Sequence, residues 1–223
     1  MYNNRKVVAV VLGAGSGNRF DSEINKVYIE INGKRVIEYS IEKFINNKYV
    51  DELILIVKEE EKNFWGEIIQ KYSNIKIAYG GETRKDSVCN GLEISDANIA
   101  IIHDGARPLV TDEMISNCIE AMNEFKGVTV GIKSKDTIKI TNDNDVITST
   151  TERKNTWIIQ TPQCFDKELL LKGHKIELEE GIEITDDCMI MEMLGYPVKV
   201  INGDYTNIKV TVKEDIELVK AFL

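Results

Sequence analysis

Six consecutive apolar residues, Val7 to Leu12, run straight into Gly13-Ala14-Gly15-Ser16-Gly17-Asn18-Arg19. A run that is apolar at every position, rather than at every second one, and rich in β-branched valine reads as a strand buried on both faces. Such strands belong to parallel sheets covered by helices. The glycines that follow let the backbone turn tightly and bring several N–H groups to bear on an anion, while Arg19 and Lys26 supply positive charge. The spacing excludes two common phosphate loops. A dinucleotide fingerprint counted from Gly13 or Gly15 needs glycine where Asn18 or Phe20 stands, and a Walker loop needs Gly-Lys where the chain has Asn18-Arg19. The segment is therefore expected to be a phosphate loop that ends in side-chain cations.

Further apolar, β-branched runs at residues 53–57, 75–78, 99–102, 128–132 and 198–201 alternate with amphipathic stretches. That alternation predicts an α/β fold with a mainly parallel sheet and helices on both faces. After the Asn32-Gly33 turn, Val36, Ile37, Ser40, Ile41, Phe44 and Ile45 make a helical stripe. Another helix is expected from Thr111, with Asp112 and Glu113 in its first turn and a stripe through Met114, Ile115, Cys118, Ile119, Met122 and Phe125. A last one follows a capping box, Thr211-x-x-Glu214, and buries Ile216, Val219 and Phe222. Residues 137–140 and 146–150 flank Asn142-Asp143-Asn144-Asp145, a hairpin signal. A hairpin hung on a parallel sheet cannot bury both its faces against its own core, so it is expected to pack on something else, such as a second copy of the chain. The whole of 1–223 reads as one domain.

Length and composition fit a folded domain with a proper core. Acidic residues outnumber basic ones by 37 to 28, a formal charge of −9 that speaks against a general nucleic-acid binder. No run approaches a membrane span, and the apolar stretch at the N-terminus is too short for a signal peptide. Cys89, Cys118, Cys164 and Cys188 lie far apart, with no C-x-x-C pair, and read as small hydrophobes of a reduced cytoplasm.

The run at 99–102 ends in His103-Asp104-Gly105-Ala106-Arg107-Pro108. Ligands of open α/β sheets bind at the carboxyl ends of strands, and a carboxylate placed there opposite a phosphate loop suits a Mg²⁺ that bridges phosphate oxygens. Asp104 is the expected metal ligand; the competing reading pairs it with Arg107 in a turn. His103 reads as a packed histidine without a catalytic role. Gly80-Gly81-Glu82-Thr83-Arg84-Lys85-Asp86-Ser87 also follows a strand and opens a helix carrying Val88 and Leu92, and could lie against a base or ribose. Arg153 and Thr161-Pro162-Gln163 offer phosphate donors. Asn207-Ile208-Lys209-Val210-Thr211 places Lys209 in an expected short strand, and Thr185-Asp186-Asp187 reads first as a helix cap.

In order, Gly13 to Arg19, Asn25-Lys26-Val27-Tyr28, Gly80-Gly81 through Arg84, Asp86-Ser87-Val88, His103 to Pro108, Asp136-Thr137, Gln160-Thr161-Pro162-Gln163, Thr185-Asp186 and Asn207 to Thr211 resemble the 2-C-methyl-D-erythritol 4-phosphate cytidylyltransferases of isoprenoid precursor synthesis. The resemblance implies a Rossmann-like fold of the nucleotide-diphospho-sugar transferase type with a protruding β-arm over residues 137–157. It implies that Gly13, Ala14, Gly15, Gly17, Arg19 and Lys26 hold the CTP phosphates, and that Gly80, Gly81, Ser87 and Gly105 shape the nucleoside side. Asp104 would ligate Mg²⁺ and Lys209 would add charge at the phosphates. Thr161, Thr185 and Arg107 would hold the acceptor phosphate, with Thr137 and Arg153 reaching across a homodimer to the partner's site.

The chain departs from the family pattern in two places. Asn25 and Val27 stand where Pro and Gln are usual, which predicts a more mobile loop around Lys26. Gly105 replaces the usual Ala and is expected to remove only a methyl. The expected reaction is an in-line attack of a polyol phosphate on the α-phosphorus of CTP, releasing pyrophosphate. Alternatives are a ribitol 5-phosphate cytidylyltransferase, which shares the Gln-Thr-Pro-Gln and Asn-Ile-Lys segments, and a nucleotide-binding paralogue without turnover. A dinucleotide-dependent oxidoreductase is contradicted by the glycine spacing.

Overall fold

The structure of the chain, a computed structural model, describes residues 1–15, 24–182 and 184–223. In chain order its elements are β1 (Val7–Leu12), β2 (Glu30–Ile31), β3 (Lys34–Arg35), α1 (Val36–Asn46), β4 (Glu52–Val57), α2 (Lys62–Lys71), β5 (Ile75–Tyr79), α3 (Arg84–Glu93), β6 (Ile99–Asp104) and α4 (Asp112–Ala121). There follow β7 (Gly127–Lys133), β8 (Lys139–Thr141), β9 (Ile147–Thr150), β10 (Trp157–Asp166), α5 (Lys167–Glu180), α6 (Asp187–Met193), β11 (Val198–Asn202) and α7 (Glu214–Phe222).

Among the described residues the main sheet has the order β11-β7-β10-β6-β1-β4-β5. Strand parity explains why β1 is apolar throughout. Val7, Ala9 and Val11 pack on one face with side chains of α1, α4 and α7, whereas Val8 and Val10 pack on the other with Val88 and Leu92 of α3 and Leu170 of α5. Helices on both faces leave no side of the central strands for water, as the continuous runs predicted.

One strand of this sheet runs the other way. β10 is antiparallel to both β6 and β7, while the pairs β1–β4, β1–β6, β4–β5 and β7–β11 are parallel. Its reversed direction sets Gln160 and Thr161, from its first half, beside the carboxyl ends of the parallel strands. The sequence reading did not include β10, because Pro162 interrupts its β-prone pattern; the ladder accommodates it with a register shift between Ile159 and Gln163.

Several local expectations are corrected. α4 ends at Ala121, so Met122 and Phe125 pack on the same core from the turn beyond the helix. α7 starts at Glu214 and no Thr211–Glu214 box forms. Instead the Asp215 carboxylate accepts from the Thr211 and Val212 amides and the Thr211 hydroxyl, because the helix begins later than the motif implied. Phe222 is exposed at the frayed end of that helix. Residues 207–210 form a loop rather than a strand. The hairpin is present as β8 and β9, with the Asn142 side chain accepting from the Asn144 and Val146 amides across the turn; both strands are exposed along their whole length.

Candidate active site

Two cavities open along the carboxyl edge of the sheet. The smaller, about 390 Å³, is walled by Ala14, Gly15, Lys26, Gly81 and Ser87 among others. The larger, about 510 Å³, is lined by Arg107, Gln160, Thr161, Gln163 and Thr185 among others. Arg84, Asp104 and Lys209 line both, so the two chambers meet at a single carboxylate ringed by cations.

Asp104 is the last residue of β6. Lys209 Nζ lies 2.8 Å from its carboxylate, Arg107 Nε at 3.7 Å and Arg84 Nε at 3.9 Å. Burial opposes ionisation here, but the Lys209 ammonium and the two guanidiniums hold the Asp104 carboxyl well below the usual carboxylate range. The Asp104–Arg107 pairing, the competing sequence reading, is thus one of three contacts and the longer-range cation Lys209 makes the shortest. Lys209 reaches the junction because its loop is pinned from both sides. Asn207, fully buried, donates to the Thr161 carbonyl at 3.0 Å, and Val210 N donates to Ala106 O at 2.8 Å.

His103 is packed, as expected, and its role is structural. Burial pushes its imidazole down to about 4, so it is neutral near neutral pH. Nε2 faces the Arg107 carbonyl at 3.2 Å, which can only accept, so Nε2 carries the proton and Nδ1 accepts from the Thr161 hydroxyl at 3.0 Å. Thr161 Oγ1 in turn accepts the Asp104 amide at 3.1 Å. The hydroxyl expected to hold substrate therefore first ties β10 to the Asp104 turn.

The smaller chamber is shaped by backbone. Gly13 N donates to Ile56 O at 2.8 Å as β1 ends, turning Ala14 and Gly15 into the cavity. Gly80 sits behind them; a Cβ built there would lie 2.6 Å from the Ala14 Cβ, so only glycine permits this approach. Ser87 is committed to the same loop, its hydroxyl accepting from Gly81 N at 3.1 Å and donating to Thr83 O at 3.0 Å. Thr83 caps α3 in a reciprocal box with Asp86.

Both departures noted in the sequence look different in three dimensions. Asn25 does not leave the Lys26 segment loose. Its amide donates to Gly13 O at 2.9 Å and to Glu61 at 3.2 Å, and its carbonyl accepts from Val27 N at 3.4 Å, which stitches the segment to the end of β1. Gly105 is more than a missing methyl: a Cβ there would stand 2.8 Å from both Leu12 O and Ile37 Cδ1, so the backbone passes too close to β1 for any side chain in this arrangement.

Gly17 and Arg19 lie outside the described residues. Thr137 and Arg153 are hydrogen-bonded to each other at 2.9 Å on the exposed arm and line neither chamber. Thr185 and Arg107 line the larger one, where Thr185 Oγ1 lies 3.1 Å from Met189 Sδ; the expected cap of α6 forms one residue later than Thr185, at Asp186, whose carboxylate accepts from Met189 N.

The sequence profile of the 2-C-methyl-D-erythritol 4-phosphate cytidylyltransferases matches residues 7–223. The chain belongs to that family. A cytidylyltransferase of this name from Caldanaerobacter subterraneus is 43% identical over 97% of the chain and 98% of its own length. One from Clostridium tetani is 41% identical over 98% of the chain and 90% of its own. The crystal structure of 4-diphosphocytidyl-2C-methyl-D-erythritol synthase from Anaerococcus prevotii superposes with a TM-score of 0.89 at 34% identity, covering 98% of this chain and 96% of that one. Membership makes the chain an enzyme, a nucleotidyltransferase.

The sequence reading of this cytidylyltransferase family member passed over several residues that line the chambers. Arg84, which stands within the Gly80–Ser87 motif, borders both chambers. Gln160 and Gln163 carry part of the polar wall of the larger one, and Asn207, fully buried, braces them from behind through Gln160 Oε1 and the Thr161 carbonyl. In that wall Gln163 Oε1 and Arg107 Nε are buried without a hydrogen-bond partner among the described residues, which leaves them bonding capacity at the cavity. Their signal in the sequence was the recurrence of amides around Thr161-Pro162, which only the antiparallel pairing of β10 turns into one surface.

Proposed function

We propose that the chain transfers the cytidylyl group of CTP to the phosphate of 2-C-methyl-D-erythritol 4-phosphate, forming 4-diphosphocytidyl-2-C-methyl-D-erythritol and pyrophosphate in isoprenoid precursor synthesis. The observation that carries this reading is the junction itself: two chambers, one beside the glycine turn at Ala14 and Gly15 and one lined by Gln160, Thr161 and Gln163, meet at Asp104, Arg84 and Lys209. CTP takes the smaller chamber with its phosphates toward Lys26 and Lys209. The acceptor phosphate enters the larger chamber beside Arg107, Thr161 and Thr185.

An ionised phosphate needs no general base, so catalysis rests on alignment and on neutralising the charge that builds at the α-phosphorus. Lys26 approaches from the smaller chamber and Lys209 from the junction, and Arg19 is assigned the same task from the sequence. The donor set fits Mg²⁺. Among the described residues no group of three or more His, Cys, Asp or Glu gathers to make an all-protein metal cage. Asp104 is a single ionised carboxylate at the edge of both chambers, and Mg²⁺ is bound by one or two carboxylates with substrate phosphates supplying further oxygens. When bound, the ion would neutralise phosphate charge; Asp104 would hold it in exchange for the Lys209 ammonium.

The arm extends the reading to a homodimer. Ile140, Val146 and Ile147 are more than half exposed on it, an apolar surface with no core of its own. Thr137 and Arg153, joined at its base, would complete the larger chamber of the second copy. Free cysteines, three of them buried, suit a reducing cytoplasm. No helix among the described residues is long and apolar enough to cross a membrane. The test is pyrophosphate release with CTP and Mg²⁺, methylerythritol 4-phosphate and ribitol 5-phosphate being run side by side. Preference for the ribitol substrate overturns the proposal. Sedimentation at micromolar protein reads the dimer independently.

A further inference from the structure

Behind the junction, α5 and α6 bury a cluster of charge under the first turn of α3. Asp187 is fully buried, His174 is 3% exposed and Glu177 is 7% exposed. Isolated charges are not buried in this way; they need partners close enough to offset lost hydration. Asp187 has two: Arg84 Nη1 at 2.6 Å and His174 Nε2 at 3.2 Å. Burial works against the Asp187 carboxylate, and Arg84 and His174 hold it ionised, below the usual range. Lys85, the neighbour of Arg84, reaches Glu177 at 2.8 Å, so the start of α3 is fastened to α5 as well.

Arg84 thereby hangs between two carboxylates held in unlike ways. Its contact with Asp187 is short and enclosed. Its contact with Asp104 is 3.9 Å and faces the two chambers. If Asp104 is drawn to another cation, an arginine held only by Asp104 would lose its position, whereas one fastened to Asp187 keeps it and turns its free N–H edge to the phosphates. A planar guanidinium with several donors suits that task better than an ammonium.

We propose that Arg84 is a further catalytic residue that contacts phosphate at the junction, and that Asp187 and His174 are positioning residues that hold it there. This rests on the placement of the phosphates at Asp104. Phosphate would meet Arg84 from either chamber, and Asp187 acts on the reaction only through the arginine.

The test is a double-mutant cycle with Arg84→Gln and Asp187→Asn, read in three ways: kcat and KM by pyrophosphate release, pyrophosphate affinity by calorimetry, and thermal melting. Each single variant is expected to lower kcat by roughly 10- to 100-fold, the scale of a misplaced transition-state partner, with both KM values changing far less. Pyrophosphate affinity falls by similar factors in the two. The double variant is expected to be no slower than Arg84→Gln, because Asp187 has nothing left to position. His174→Gln gives the same pattern at smaller amplitude and serves if Asp187→Asn does not fold. Losses that multiply in the double variant, or a folded Asp187→Asn or His174→Gln protein with wild-type kcat and pyrophosphate affinity, overturn the inference. Asp104→Asn separates the two levels. Full turnover in that variant removes the junction, and the inference with it; loss of turnover there alongside normal turnover in Arg84→Gln removes the inference alone.

Discussion

The smaller chamber takes its shape from close backbone approaches at Gly13, Gly80 and Gly81 and carries Lys26, Lys58 and Ser87 in its wall, while the larger one is walled by side-chain amides and hydroxyls drawn from distant strands. In the first, Gly13, Gly80 and Gly81 bring the chain so close to itself that the cavity is a matter of steric fit. In the second, Thr161 spends its hydroxyl on the Asp104 amide and His103, Gln163 spends its amide N–H on Asp186, and Gln163 Oε1 keeps its bonding capacity for the cavity. The nucleotide side should therefore be sensitive to added volume, and the acceptor side to lost polar groups. Both should depend on the cations where they meet.

Lys26→Ala is expected to have the largest effect, lowering kcat by roughly two or more orders of magnitude, as loss of a preorganised transition-state partner does. Pyrophosphate release measures it; near-normal kcat in a folded variant would remove the lysine from the mechanism and leave the smaller chamber a binding surface only.

Thr161→Val keeps the shape of the side chain but deprives both the Asp104 amide and His103 Nδ1 of their partner. Unsatisfied buried polar groups cost about 1–3 kcal/mol each, so a clear fall in thermal or urea stability is expected along with weaker acceptor binding. A variant as stable as the parent would show that the larger chamber does not double as a structural joint.

Gly80→Ala tests the opposite property. Its Cβ would meet Ala14 at 2.6 Å, and overpacking of about 1–3 kcal/mol should raise KM for CTP roughly tenfold while leaving KM for the polyol phosphate within about twofold. Equal rises in both constants would mean the chambers are not separable.

Asn25→Ala is the mildest. Loss of the bonds to Gly13 O and Glu61 should lower kcat by about fivefold, near the value of one or two net hydrogen bonds. Asn25→Pro asks whether ring rigidity can replace them; recovery of kcat toward the parent value would show that order, rather than the amide itself, is what Lys26 requires.

Legibility follows the same division. The described parts of the smaller chamber are short local motifs, such as a strand end followed by glycine and a cap, and such motifs are legible along the chain. Asp104 could be read for the same reason, as the polar residue that ends an apolar run. Thr161 and Lys209 were also marked, yet neither of their settings was foreseen: Thr161 on a reversed strand, Lys209 in a loop docked on Ala106 rather than in a strand. Arg84 and Asp187 are far apart in the chain and met only because α3 and α6 share a face of the sheet with α5. Gly105 was misjudged because a sequence shows which atoms a side chain lacks, not how near a neighbouring strand passes.

By itself the sequence determined the α/β class, the helices on both faces, the hairpin of the arm and the family, since continuous apolar runs and turn signals act through neighbours along the chain. Tertiary structure alone decided that β10 enters antiparallel, that two chambers converge on one carboxylate, and that buried Asp187 holds Arg84 beside it. Those outcomes depend on which strands pair and which charges must be buried together, and pairing over such separations is settled by packing of the whole sheet rather than by any local pattern.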